Sequence, residues 1–312
     1  MAGGAASGAS SHAGLNGGGE GRRAYALLLG AMAIWGVNLS VVKALTGSLD
    51  VLTVAAVRMV VAALALTALL FLRRERLPVL SARALLALTG CALVMVYGNQ
   101  ILFSAGLARS TATNGALIMS LGPLVSALLA ALVFRERLGA RRLAGVAIGF
   151  AGVALVVLNR PGAQLGGGSW GDALIIASVV CFASGGIAVQ RLSRAFTALQ
   201  ISWVVHVIGA TLLVLHAALS PEARLSDLAQ ASLTTWSLVL YSGMLATGVA
   251  ALVWNLSIAR LGIARTAMGF YWVPIFGVAF AVAFMGEALT GWHALGLASV
   301  ILGSRLGFAR RG

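Results

Sequence analysis

Polar positions along this chain are few, and they come in groups that leave long apolar runs between them. Ten such runs can be marked: Tyr25–Leu45, Val51–Leu72, Ala82–Phe103, Ala112–Phe134, Leu143–Leu158, Ala173–Gln190, Leu199–Leu219, Leu233–Leu256, Ile263–Met285 and Trp292–Phe308. Most are close to the length of roughly 20 residues at which an α-helix crosses the hydrocarbon core of a bilayer. Helices are the element expected there, because a helix satisfies its own backbone groups where no water can. The pattern predicts an all-α membrane protein of ten transmembrane helices.

The runs divide into two sets of five. The stretch Leu107–Val153 matches Ile258–Ser304 at a constant offset of 151 residues, pairing Pro123 with Pro274, Glu136 with Glu287, Leu138 with Leu289, Gly145 with Gly296 and Gly152 with Gly303. Of the five prolines, Pro78, Pro161 and Pro221 read as loop residues, so the two inside apolar runs are the two that superimpose. A duplication accounts for this, and a repeat of that size governs the whole fold. Each copy reads as an apolar helix bent at a proline, a loop with one glutamate, and a glycine-spaced helix. The division is then 1–23 as a disordered Gly/Ala/Ser-rich cytoplasmic tail, 24–158 as the first repeat, 159–171 as a glycine-rich linker and 172–309 as the second repeat.

Composition agrees, with 60% hydrophobic residues, 10% charged and a mean hydropathy of +0.98. The net charge of +14 raises the question of nucleic acid, and its distribution answers it. Assigned to alternate sides of ten spans, 17 of the 22 Lys and Arg fall on one side, the largest groups being Arg73–Arg83 and Arg135–Arg142. Only Lys43, Arg109, Arg160 and Arg224 fall on the other, and Arg58 lies within a span. The positive-inside rule places the rich side and both termini in the cytoplasm. The loop around Glu136 carries four arginines and the loop around Glu287 none, as expected if the repeats are inverted. The excess is an orientation signal. No nucleic-acid partner is expected, and Arg22-Arg23 running into a full span suggests an uncleaved signal anchor.

Candidate chemistry rests on polar and aromatic residues inside the spans. Trp35 and Asn38 lie in the first, Arg58 in the second, Tyr97, Asn99 and Gln100 in the third. His206 lies in the seventh, Trp254 and Asn255 in the eighth, Tyr271 and Trp272 in the ninth. Polar side chains in a membrane face a bundle interior or a wet cavity. These residues are candidate substrate contacts, with interhelical packing as the alternative for each. Arg58 has no acidic partner in any span. It either reaches headgroups and backbone carbonyls or attracts a substrate carboxylate, and alignment of spans two and seven sets His206 opposite it. Gly122, Pro123 and Pro274 are candidate hinges, with a static kink as the other reading. Glu136 and Glu287 read as caps at helix N-termini. The glycines of spans five and ten permit close packing, within the chain or between two copies. Gly166-Gly167-Gly168 lacks the Lys-Ser/Thr of a phosphate loop. Cys91 and Cys181 fall inside spans, so no disulfide is expected. No cofactor or metal ligand set is apparent.

With Leu121-Gly122-Pro123-Leu124 through Glu136-Arg137-Leu138 to Gly145 and Gly152, and Val273-Pro274-Ile275 through Gly286-Glu287-Ala288-Leu289 to Gly296 and Gly303, the chain resembles the EamA family of the drug/metabolite transporter superfamily. Ala33-Ile34-Trp35-Gly36-Val37-Asn38 and Arg58 fit the same pattern, and the resemblance covers nearly everything after residue 23. It implies a ten-helix inverted-repeat transporter of the inner membrane, with spans three, four, eight and nine around a central cavity and many members exporting amino acids or related metabolites. The small multidrug transporters of the superfamily use a glutamate in their first span, which this chain lacks.

The expected function is export of small zwitterionic metabolites, amino acids foremost, by alternating access and without obligate proton coupling. All eight acidic residues lie in loops or the tail, and a proton relay needs Asp, Glu or His within the membrane. Sugar phosphates or nucleotide sugars are the alternative substrates, for which one Arg58 is too few. An intramembrane enzyme is the rival of another class. Neither Gly-x-Ser-x-Gly nor His-Glu-x-x-His occurs, and His206 and His216 stand roughly 15 Å apart along one helix. The expected partners are a small-molecule substrate and the lipid bilayer, with the chain a monomer or homodimer.

Overall fold

The computed structural model describes residues 16–77, 79–107, 109, 118–135, 139–159, 170–285 and 290–308. Glu136, Glu287, residues 1–15 of the tail and residues 160–169 of the linker lie outside them. Every regular element among the described residues is helical. The first half contains α1 (Asn16–Thr46), α2 (Val51–Leu72), α3 (Ala82–Ala92), α4 (Asn99–Leu107), α5 (Gly122–Phe134) and α6 (Ala140–Leu158). The second contains α7 (Trp170–Leu192), α8 (Ala198–Leu219), α9 (Leu233–Leu240), α10 (Ala250–Leu261), α11 (Ile263–Thr266), α12 (Trp272–Met285) and α13 (Gly291–Phe308). Among the described residues, seven helical stretches are long and apolar enough to cross a membrane. The three remaining predicted runs hold α5, α6 and α13, the first of them with a turn at Ser120 and Leu121 ahead of its helix. Helix α1 begins at Asn16, inside the stretch read as tail, since extending a formed helix costs far less than nucleating one.

Two long helices are interrupted in the same way. A π-helical turn, Leu93–Gly98, joins α3 to α4, and a longer one, Tyr241–Val249, joins α9 to α10. At the repeat offset the first coincides with the last turn of the second. Each widens its helix and turns carbonyls away from the axis, so those oxygens need partners elsewhere.

The prolines do not kink continuous helices. Ser120 and Leu121 form a turn and α5 starts anew at Gly122, with Pro123 in its first turn. There the missing N–H forfeits no hydrogen bond. Before Pro274 the chain tightens into a 3-10 segment, Ala267–Tyr271, and α12 begins at Trp272.

The two halves interleave. Helix α1 packs on α12 and on the π-turn and α10 of the second half, α4 and α5 pack on α7, and α2 packs on α8. The closest pairing joins α6 to α13, where the glycines of the two repeats meet. A Cβ on Gly152 would lie 2.8 Å from the Gly296 carbonyl, and one on Gly303 would lie 2.6 Å from both the Gly145 carbonyl and the Gly149 nitrogen. Gly152 thus meets the counterpart of Gly145, and the counterpart of Gly152 meets Gly145. That reciprocity is the mark of an isologous contact about a two-fold axis. The glycine faces are occupied within the chain.

Asp50 ties the loop after α1 to the Ser220–Ser232 loop. One carboxylate oxygen caps α2 by accepting from the Thr53 N–H at 2.8 Å, and the other accepts from the Arg224 N–H at 2.9 Å. Burial alone would raise its pKa, but the hydrogen bonds from Thr53, Arg224 and Leu52 outweigh this and hold it below the ordinary 3.8. A depressed carboxylate stabilises the fold above its unfolded pKa and loses that contribution as pH falls through the folded one. Asp50→Ala is expected to cost about 1 kcal/mol at neutral pH. The part of that difference due to the charge should fade below pH 3.8. Thermal unfolding of both proteins in detergent from neutral pH downward checks this, and a constant difference would count against it.

Candidate functional site

Four aromatic rings from four elements meet in the largest buried cluster of the bundle. Trp35 of α1 stacks on Phe270 of the 3-10 segment with centroids 5.5 Å apart and planes 12° from parallel. Trp254 of α10 stands 4.7 Å from Phe270, 5.6 Å from Trp35 and 5.6 Å from Phe182 of α7. Phe182 meets Phe270 edge-on at 5.6 Å. Offset, tilted and edge-on arrangements are those the aromatic quadrupole favours. Gly122 lies next to this group, its missing Cβ only 3.9 Å from the Phe270 ring. The helix restart of the first repeat therefore abuts the aromatic cluster supplied largely by the second.

A string of polar side chains begins beside Trp254. Asn255 donates from Nδ2 to Ser202 Oγ at 2.9 Å. His206 Nδ1 lies 2.7 Å from the Ser202 carbonyl, and the Thr247 backbone also faces the ring. Thr247 Oγ1 donates to the Ser242 carbonyl at 2.8 Å and accepts from Arg58 Nη2 at 3.2 Å. The structure therefore joins Arg58 and His206, which the repeat alignment only set opposite one another, and the link is the π-turn. Gly243 makes this approach feasible. A Cβ there would come within 2.6 Å of Val61 and 2.9 Å of the Arg58 carbonyl, so any side chain would push α2 away.

The same π-turn holds α1. Trp35 Nε1 donates to the Ala246 carbonyl at 2.8 Å, Ser242 Oγ donates to Asn38 Oδ1 at 2.6 Å, and Tyr241 donates to the Ile34 carbonyl at 3.3 Å. The indole satisfies an oxygen that the wide turn exposes. Trp35 thus serves both the aromatic cluster and the support of the turn, while Asn38 is engaged in the support.

Several buried polar atoms here have no partner among the described residues: Arg58 Nε, Trp254 Nε1 and Asn255 Oδ1, with Thr53 Oγ1 nearby on α2. Trp254 and Asn255 are each 1% exposed. Leaving a buried donor or acceptor unpaired costs about 1–3 kcal/mol. Two donors and one acceptor are therefore buried without a partner among the described residues, at or beside one polar string.

The other sequence candidates divide. Asn99 donates to the Ser178 carbonyl at 3.0 Å, tying α4 to α7, and the Tyr97 hydroxyl pairs with His216 Nδ1 at 3.2 Å. Gln100 is half-buried and has no side-chain hydrogen bond among the described residues. Tyr271 and Trp272 turn away from the four rings. Tyr271 packs over Gly149 and donates to the Val146 carbonyl at 2.9 Å. Trp272 donates to Ser304 Oγ at 3.1 Å. Both therefore fasten the 3-10 segment to the α6–α13 pair. Phe182, Phe270, Ser202 and Thr247 belong to the site and were not singled out from sequence. The two hydroxyls had a signal, being polar groups in apolar runs, but the phenylalanines had none.

Comparison with known proteins places this architecture. The profile of the EamA-like transporter family matches residues 22–158 and again 169–308. A probable terminal-alkyne amino-acid exporter of Streptantibioticus cattleyicolor is 28% identical over 85% of this chain and 85% of its own. A probable amino-acid metabolite efflux pump of Salmonella typhimurium is 26% identical over 89% of this chain and 92% of its own. The uncharacterized inner membrane transporter YedA of Escherichia coli K12 is 26% identical over 88% and 87%. One crystal structure superposes with a TM-score of 0.77 over 91% of this chain and 96% of that one, at 19% identity, a likeness of fold alone. With two family segments on one helical chain, the protein belongs to the EamA-like transporter family and is a multi-pass transporter of the inner membrane.

Proposed function

We propose that this protein exports small zwitterionic metabolites, amino acids foremost, by alternating access between two inverted five-helix repeats. In this reading the chain crosses the membrane ten times and keeps both termini in the cytoplasm. The carrying observation is the set of buried polar atoms without a partner among the described residues, on Arg58 and on Trp254 and Asn255 at the aromatic cluster. Arg58 Nε, without a partner among the described residues, is a donor for a carboxylate. Asn255 Oδ1, without a partner among the described residues, is an acceptor for an ammonium. Trp254 Nε1 is a further donor for the carboxylate. The exporter and efflux-pump names of the two relatives agree with the direction and the substrate class.

The helix restarts at Gly122–Pro123 and before Pro274 supply the hinges, since both lie beside the aromatic group and neither is bridged by regular α-helical hydrogen bonds. Movement follows the substrate gradient. Of the eight acidic residues none lies in the polar string, which leaves His206 as its one titratable group near neutrality. Proteoliposome export that strictly requires a pH gradient and is lost in His206→Ala would refute this.

The direct test is a growth-rescue screen at inhibitory concentrations of individual amino acids, followed by export of the positives from loaded proteoliposomes. Arg58→Ala is expected to lower export at least about tenfold, the equivalent of one lost charge-assisted hydrogen bond of about 1.4 kcal/mol. Arg58→Lys restores charge without the fork and should recover only part. Unchanged export in Arg58→Ala, Gln100→Ala and Trp254→Ala together would remove the proposed site.

A further inference from the structure

A second arginine-bearing site lies outside the polar string. At the arginine-rich end of the bundle a cavity of about 300 Å³ opens between α5, the start of α6, the end of α7 and the α10–α11 turn. Arg142, Arg260, Arg265 and Gln190 supply its polar lining, with Ala130 and Ile263 on the apolar side. The backbone builds the arrangement. Gly262, at φ +80°, reverses the chain directly after Arg260 so that Arg265 returns to the same cavity. Gln190 Oε1 accepts from the Ile263 N–H at 2.7 Å and fixes the turn.

One cation at the end of α10 needs no ligand to explain it, because a helix C-terminus favours positive charge. Arg260 and Arg265 on one hollow do need explaining, since two guanidinium groups repel one another. No carboxylate lines the cavity among the described residues. The guanidinium groups of Arg260 and Arg265 make no hydrogen bond or ion pair among those residues. The guanidinium fork matches phosphate oxygens two at a time. A lone carboxylate is served by one such fork, whereas a phosphate with three or four oxygens can use those of Arg260 and Arg265 together. The volume exceeds that of a bare ion and leaves room for a substituent. The position, at the membrane edge by charge, gives access to lipid headgroups and to solution.

We propose that this cavity binds a phosphate group, carried either by an anionic lipid headgroup or by a soluble phosphate compound. The site is separate from the transport reading and stands or falls without it.

Thermal unfolding of the purified full-length protein in neutral detergent tests it, with phosphatidylglycerol, phosphatidylcholine or inorganic phosphate added at matched ionic strength. Phosphatidylglycerol, inorganic phosphate or both are expected to raise the midpoint by about 3 °C or more near saturation. The zwitterionic lipid should add nothing, because its ammonium competes for the phosphate. The double variant Arg260→Gln/Arg265→Gln should lose more than half of the shift. Arg73→Gln/Arg74→Gln, at the same end but outside the cavity, should keep it. A shift with the lipid alone assigns a headgroup and a shift with phosphate alone a soluble ligand, and each supports the site. If the glutamine pair does not fold, Arg260→Lys/Arg265→Lys takes its place and should show a reduced shift. No shift in the parent protein overturns the proposal, as does a full shift in the cavity variant or an equal loss in the Arg73/Arg74 control.

Discussion

Replacing Gly303 with valine is expected to remove the folded protein altogether. The Cβ alone would sit 2.6 Å from the Gly145 carbonyl and the Gly149 nitrogen, and 2.9 Å from the Gly149 Cα. All three are backbone atoms, so no side-chain rotation can relieve the clash. The helices must separate, and α6–α13 is the most extensive helix pairing among the described residues. Overpacking an adaptable core costs about 1–3 kcal/mol, and a seam blocked by backbone exceeds that. Against a total stability of about 5–15 kcal/mol such a loss is decisive. The readout is the yield of monodisperse protein on size exclusion after solubilisation. Gly303→Ala should be intermediate, and Gly30→Ala, where a Cβ meets nothing within 4 Å, should be silent. Wild-type yield of Gly303→Val would mean that the glycine seam does not hold the two halves.

Trp254→Phe is expected to separate stability from transport. Trp254 is 1% exposed, which by itself suggests packing, yet its indole N–H has no partner among the described residues. Phenylalanine retains an aromatic face toward Trp35, Phe182 and Phe270 and deletes the orphan donor. Removing that donor recovers about 1–3 kcal/mol of desolvation cost, which offsets much of the penalty for the smaller ring. The unfolding midpoint should therefore change little. If the N–H instead serves a substrate oxygen, export should fall about tenfold, corresponding to 1.4 kcal/mol. A variant that unfolds early but transports normally when folded would make Trp254 a packing residue only. Trp254→Ala does not discriminate, because a cavity costing about 3–5 kcal/mol would impair both readouts.

Much of the scaffold was legible because a membrane leaves few options. Apart from the turn at Ser120 and Leu121, each predicted apolar run is helical in its described part, and the glycine spacing of the last run in each half pointed to close packing, within the chain or between two copies, which the structure places between α6 and α13. The π-turns were not legible. Gly98, Gly243 and Gly248 mark them only weakly, since a glycine in an apolar helix more often signals packing. Their effect on the site is nevertheless large, because the longer turn presents Thr247 to Arg58 and the Ala246 carbonyl to Trp35. The 3-10 segment explains a second difference. It advances each residue about 120° around the axis where an α-helix advances about 100°. Phe270 then faces the aromatic cluster while Tyr271 and Trp272 face α6 and α13. Sequence reading favoured the residues with polar handles and passed over the plain ring between them and the centre. Arg58 and His206 were legible as exceptions to an apolar pattern, whereas the threonine joining them was one hydroxyl among many.

Because Gly152 meets Gly296 while Gly303 meets Gly145, the terminal helix of each repeat recognises its own copy. A surface that fits itself needs no covalent tether to find its mate. A half-length ancestor carrying that helix could have assembled two identical polypeptides into the same bundle. Gene fusion would then have preserved the handshake while freeing each half to mutate alone. The present division of labour follows, with Arg58 on one side and the histidine, the long π-turn and most of the aromatic rings on the other.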